Sequence, residues 1–118
     1  MLCSDCHDPH RAQRGTHTRE VVKTGDDTCL TCHVEKRGPF VYEHDMVTAS
    51  GAEACLTCHQ GHGSPHPKLQ KMSGRGLCLQ CHTDMALDPT HRSLTGACWR
   101  AGCHTAIHGS NRSRAFLG

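Results

Sequence analysis

Five pairs of cysteines, each pair followed at once by a histidine, constrain this chain more than anything else in it. Cys3-Ser4-Asp5-Cys6-His7, Cys29-Leu30-Thr31-Cys32-His33, Cys55-Leu56-Thr57-Cys58-His59 and Cys78-Leu79-Gln80-Cys81-His82 place two residues between the cysteines. Cys98-Trp99-Arg100-Ala101-Gly102-Cys103-His104 places four. All 10 cysteines of the 118 residues are used. Chance placement at this composition would supply roughly 0.09 of the strict motif, and the chain holds four.

Three chemistries use paired cysteines. A disulfide scaffold has no reason to put a histidine after every second cysteine, and neither does a zinc site. Covalent haem attachment has one. Two thiols on one short turn reach the two vinyl groups of a single porphyrin and form thioethers, and the next residue then lies under the ring as an iron ligand. The reading is therefore five c-type haems. They are attached through Cys3/Cys6, Cys29/Cys32, Cys55/Cys58, Cys78/Cys81 and Cys98/Cys103, with His7, His33, His59, His82 and His104 as proximal ligands.

Composition agrees. Aromatic residues make up 3% of the chain and mean hydropathy is -0.55, so side chains alone could bury little apolar surface. Haem would be the core. The chain reads as one domain, residues 1–118, with internal repeats. Residues 3–33 match residues 55–82: a motif, a histidine three residues on (His10, His62), another twelve before the next cysteine (His17, His66), then a second motif. A partial third copy spans residues 98–110, where His108-Gly109-Ser110 echoes His62-Gly63-Ser64.

The expected fold class is mostly irregular, with short α-helices and little or no β-sheet. No run alternates cleanly between apolar and polar residues. Glycine and proline interrupt the chain at Gly38-Pro39, Ser64-Pro65, Pro67 and Pro89. Short helices are expected over residues 51–59 and 76–86, and loops over residues 11–28 and 34–50.

Seven histidines lie outside the motifs: His10, His17, His44, His62, His66, His91 and His108. A histidine three or four residues after a proximal one lies beside it on a helical turn and cannot reach the opposite face of the same ring. His10, His62 and His108 should thus serve neighbouring haems, locking consecutive haems together. His44 and His91 precede motifs by lengths that let a loop fold back. These five are the expected distal ligands, with His17 and His66 in reserve. Met1, Met46, Met72 and Met85 are read as packing residues rather than ligands.

One family resemblance rests on these residues. Gly38-Pro39-Phe40-Val41-Tyr42-Glu43-His44, the motif at 55–59 with His62-Gly63-Ser64, and Leu77-Cys78 resemble the periplasmic decahaem cytochromes of outer-membrane electron conduits. Cys103-His104-Thr105-Ala106-Ile107-His108-Gly109-Ser110-Asn111 resembles their C-terminal end. The resemblance implies bis-histidine irons in an elongated haem wire, a β-barrel porin as partner, and a role in metal, iron-oxidation or dimethyl-sulfoxide respiration. The motif count is five rather than ten, as in the related pentahaem donor to nitrite reductase. No histidine equivalent to His44 precedes the first motif, so that haem would be completed by His17 or by another subunit.

Haem is attached outside the cytoplasm, so the expected location is periplasmic or extracellular. No stretch approaches the 18 or so apolar residues of a membrane span. The formal charge of +2 omits the cofactors. Two propionates per haem against one ferric core charge bring the loaded chain to roughly -3, which argues against nucleic acid as a partner. Other redox proteins are the expected partners, and Arg112 and Arg114 are expected to pair with propionates. The sequence favours an electron-transfer chain over a haem reductase, because every motif keeps its histidine and distal histidines are plentiful. Self-assembly into an extracellular cytochrome filament is the alternative, since the first and last motifs lie close to the chain ends. Intact mass under denaturing conditions should exceed the polypeptide by five haem masses; an excess of four would empty the wide Cys98/Cys103 site.

Overall fold

The computed structural model describes residues 1–7, 28–48 and 51–117. His10, His17 and most of the loop expected over residues 11–28 lie outside these.

Each motif is one tight turn. The histidine N–H returns to the carbonyl of the first cysteine: His7 to Cys3 at 2.8 Å, His33 to Cys29 at 3.0 Å, His59 to Cys55 at 2.9 Å and His82 to Cys78 at 3.0 Å. This five-residue closure is a single α-helical turn. It puts both thiols and the imidazole on one short arc. Two motifs carry that turn inside or beside a helix, α1 (Cys3–Cys6) and α3 (Gly51–Cys58). α4 (Gly76–Leu79) opens the fourth motif, and a 3-10 turn, Thr83–Ala86, follows it. The expected helix over residues 76–86 is thus two pieces. Four residues per piece is far below the roughly 12–15 that a helix needs to stand alone, so these turns are held by what they pack against.

Residues 34–50 are not plain loop. They hold a 3-10 turn (Val34–Lys36), β1 (Tyr42–Glu43) and α2 (Asp45–Thr48). β1 pairs antiparallel with β2 (Gly109–Ser110), Tyr42 opposite Ser110 and Glu43 opposite Gly109. Val41 N–H donates to the Asn111 side chain at 3.0 Å and extends the seam by one bond. A strand of two residues has no alternation to read, which is why the sequence hides it. α5 (Pro89–Arg92) starts at Asp88, whose side chain caps it, with Pro89 in the first turn.

The shape is elongated, 53 × 28 × 23 Å. Among the described residues the buried apolar side chains are Ala54 and Leu77. Burying one leucine contributes about 1.5–3 kcal/mol. Ordering each residue costs about 1–2 kcal/mol, so such a core cannot hold this chain. Of the methionines read as packing, Met72 lies against Gly76, whereas Met1 is 98% exposed.

The fold is therefore mostly irregular with short helices, and its order must come from the cofactors. The protein stripped of haem, or a variant with Cys55 and Cys58 both replaced by serine, should lose circular dichroism and amide protection in the middle of the chain. Protection equal to that of the loaded protein would show a polypeptide core.

Candidate functional site

The histidines of the motifs do not point into solvent at random. Four of them face another imidazole across a gap. His7 faces His62 with ring centroids 5.8 Å apart, His59 faces His108 at 6.2 Å, His82 faces His44 at 6.2 Å, and His104 faces His91 at 6.2 Å. Two imidazoles bonding one metal from opposite sides, each at about 2 Å, bring their centroids to roughly 6.3 Å. The gaps fit one iron each. Among the described residues no imidazole faces His33, and His66 faces no motif histidine.

Hydrogen bonds fix which nitrogen is turned to the gap. His59 Nδ1 pairs with the Lys68 carbonyl at 2.8 Å, His91 Nδ1 with Asp88 Oδ1 at 2.8 Å, and His104 Nδ1 with the Ala115 carbonyl. Each partner is an acceptor, so each Nδ1 carries the proton and Nε2 keeps its lone pair for a metal. Burial pushes the His44 pKa below the ordinary imidazole value, and His82 pushes it further. Burial likewise lowers His108, followed by Lys36 and His59. Neutral imidazole, the ligating form, is favoured at both.

The sheet explains how two of these histidines arrive. His44 follows β1 and His108 precedes β2, so the register that sets Glu43 opposite Gly109 sets His44 and His108 side by side. One four-residue sheet thus delivers imidazoles to both His82 and His59. Gly109 makes the seam possible. Its φ is +155°, and a Cβ there would lie inside the Phe40 ring. Phe116 packs edge-on against His44, centroids 5.5 Å apart.

The His-Gly-Ser triplets are the same device used twice. Gly63 N–H closes a turn to the Gln60 carbonyl and Gly109 N–H to the Ala106 carbonyl, so His62 and His108 both sit at the third position of a turn. Both glycines have positive φ, +131° and +155°. The serine then turns the chain. Ser64 Oγ accepts from His66 N–H, and Ser110 Oγ accepts from Arg112 and Ser113 N–H. The returning strand supplies the carbonyls of Lys68 and Ala115 to the proximal imidazoles.

The ten cysteines are all unbridged, so no disulfide scaffold is built. No three His, Cys, Asp or Glu side chains among the described residues converge as a zinc site would require. Thiols of successive motifs do meet. Cys29 lies beside Cys55, and Cys78 beside Cys98. Burial and then these neighbours push the Cys78 thiol up to about 12 and raise Cys29 as well. Burial also raises Cys58, with Cys81 adding to it and Lys71 opposing.

The wide motif closes like the others. His104 N–H still reaches the Cys98 carbonyl at 3.0 Å. The two extra residues are absorbed inside the loop, by a Cys103-to-Arg100 turn and by Gly102 at φ +82°.

The family defined by the doubled CXXCH motif matches residues 1–38 and 44–87. The chain belongs to this family and is a multihaem c-type cytochrome. The multihaem cytochrome MtrA of Shewanella baltica (strain OS185) is 36% identical to it over 130 aligned residues, 99% of this chain. That stretch is 37% of the relative, so the chain spans a little over a third of its length.

In this cytochrome His62 faces His7 and His108 faces His59. Each reaches back two motifs rather than to the consecutive one; for His108 the consecutive place is taken, because His44 faces His82. Sequence reasoning missed Gly109, Phe40 and Asp88. The repeated His-Gly-Ser triplet was the available signal for the first.

G109A should destabilise the loaded protein by about 1–3 kcal/mol through overpacking against Phe40. It should also disturb two haems at once, seen as two new high-spin signals in electron paramagnetic resonance. A single disturbed haem would mean that the sheet does not serve both His44 and His108.

Proposed function

We propose that this cytochrome is an electron wire of five haems. One is held by each cysteine pair under His7, His33, His59, His82 and His104. His62, His108, His44 and His91 complete the first, third, fourth and fifth, supported by ring spacings that fit one iron. The second is completed by His10, with His17 in reserve. The wide Cys98/Cys103 motif is included because its backbone closure matches that of the strict ones.

A bound haem supplies a one-electron ferric/ferrous couple. The polypeptide decides how close the couples stand and whether anything else can bind. The observation that carries the wire reading is the meeting of sulfurs: Cys29 with Cys55, Cys58 beside Cys81, and Cys78 with Cys98. These are the atoms to which porphyrin edges would be joined, so motifs two to five would hold neighbouring rings nearly edge to edge. Paired imidazoles leave no open position for a substrate, and they favour low potentials relative to histidine/methionine ligation. The chain accordingly catalyses no bond chemistry of its own.

The expected partners are other redox proteins, with a porin conduit as the envelope context that the resemblance to decahaem cytochromes suggests. The expected location is the periplasmic side of an outer membrane. No helix among the described residues is long and apolar enough to cross a membrane.

Redox titration with stopped-flow reduction tests this. The loaded protein should show overlapping low-potential transitions and rapid equilibration among all haems, with negligible turnover of nitrite, hydroxylamine or peroxide. H44A should turn one haem high-spin and H66A none. One slow, high-spin haem in the unaltered protein that binds nitrite or carbon monoxide tightly would replace the wire with an enzyme.

A further inference from the structure

His91 is the imidazole whose outward nitrogen meets a carboxylate at hydrogen-bond distance. Its Nδ1 lies 2.8 Å from Asp88 Oδ1. The other outward nitrogens described differ. His59 and His104 meet neutral carbonyls, His33 stands 3.8 Å from Glu35 in an exposed pair, and His7 Nδ1 is buried without a partner. A carboxylate accepting from an axial imidazole draws its Nδ1 proton outward and makes Nε2 a stronger donor to the metal. Electron density pushed onto iron stabilises the ferric state.

We infer that Asp88 is a redox-tuning residue: through His91 its carboxylate lowers the potential of the haem held between His91 and His104. Reduction adds one electron to that iron. No bond is made or broken, and the Nδ1 proton stays between His91 and Asp88. The inference rests on the axial role proposed for His91.

Helix capping does not account for this contact. Asp88 Oδ1 also accepts from Thr90 N–H at 2.9 Å and His91 N–H at 3.0 Å, which caps α5. The cap needs only those two bonds. The imidazole is a third donor on the same oxygen, and its ring is held with the far side facing His104 at an interplanar angle of 21°. Asparagine separates the two roles. It is as good a cap as aspartate, yet it carries no charge to share with the ring.

The test compares D88N and H91A with the unaltered loaded protein by potentiometric titration followed in electron paramagnetic resonance. Haem content by mass and circular dichroism are checked first. D88N should stay fully low-spin and move one midpoint positive, favouring the reduced form about tenfold, about 59 mV for one electron. That shift should survive high salt, which screens a distant surface charge but not a direct hydrogen bond. H91A should give one high-spin haem. An unmoved set of midpoints in D88N, alongside a high-spin haem in H91A, would overturn the tuning role and leave the axial ligand standing. A shift abolished by salt, or a high-spin haem in D88N, would overturn it too, since Asp88 would then be a surface charge or a mere prop. H91A with every haem still low-spin would remove the axial reading itself, and the inference with it.

Discussion

The facing of one imidazole by another across about 6 Å is the constraint on which the rest of this molecule depends. Each pair joins segments far apart in sequence: His7 with His62, His59 with His108, His44 with His82. An ordinary domain brings such segments together by burying apolar side chains. Here Ala54 and Leu77 are the buried ones described, and the helices are single turns apart from α3. Metal-linked chains convert ligand binding into folding free energy, and this chain has little other source. Its elongated outline follows, since a row of pairs has no reason to close into a sphere.

Where the polypeptide does build structure, it builds it next to those pairs. The two-stranded sheet ends at His44 on one strand and begins after His108 on the other. Phe40 and Phe116, the two phenylalanines of the chain, press on Gly109 and His44. Residues that would form a hydrophobic core elsewhere are spent on orienting imidazoles. The same economy governs the loops behind the third and fifth motifs. Each leaves through a turn ending in a positive-φ glycine, is reversed by a serine hydroxyl and returns a backbone carbonyl to the proximal Nδ1. A loop that positions one ligand thereby fixes the tautomer of another.

These facts separate what the sequence could tell from what it could not. The CXXCH motifs that mark the family were legible because they are local: five consecutive residues hold each one. The irregular fold class was legible for a related reason, the shortage of apolar residues and the frequency of breakers. Distal pairing is non-local. Spacing said that His62 and His108 could not serve their own rings, but it suggested consecutive haems, whereas they face His7 and His59. For His108 that choice is made by the β1–β2 register, and strands of two residues leave no periodicity. Asp88 was hidden for another reason. An aspartate before Pro89 reads as a helix cap, and it is one; its contact with the His91 ring depends on a side-chain torsion that no spacing encodes.

The sulfurs show how chain order becomes spatial order. In the third motif Cys55 lies toward Cys29 of the second, while Cys58 lies toward Cys81 of the fourth. In the fourth, Cys81 looks back to Cys58 and Cys78 looks on to Cys98 of the fifth. Cys58 has both sulfurs of the fourth motif near it, Cys81 and Cys78. The one-turn closure sets its two cysteines three positions apart, neighbours on one face of the turn, so both can reach one porphyrin. The wide motif shows that the closure tolerates a longer loop, since His104 N–H still reaches the Cys98 carbonyl. What the five motifs share is therefore the closure from histidine N–H to first-cysteine carbonyl, whatever the length of the loop between the cysteines.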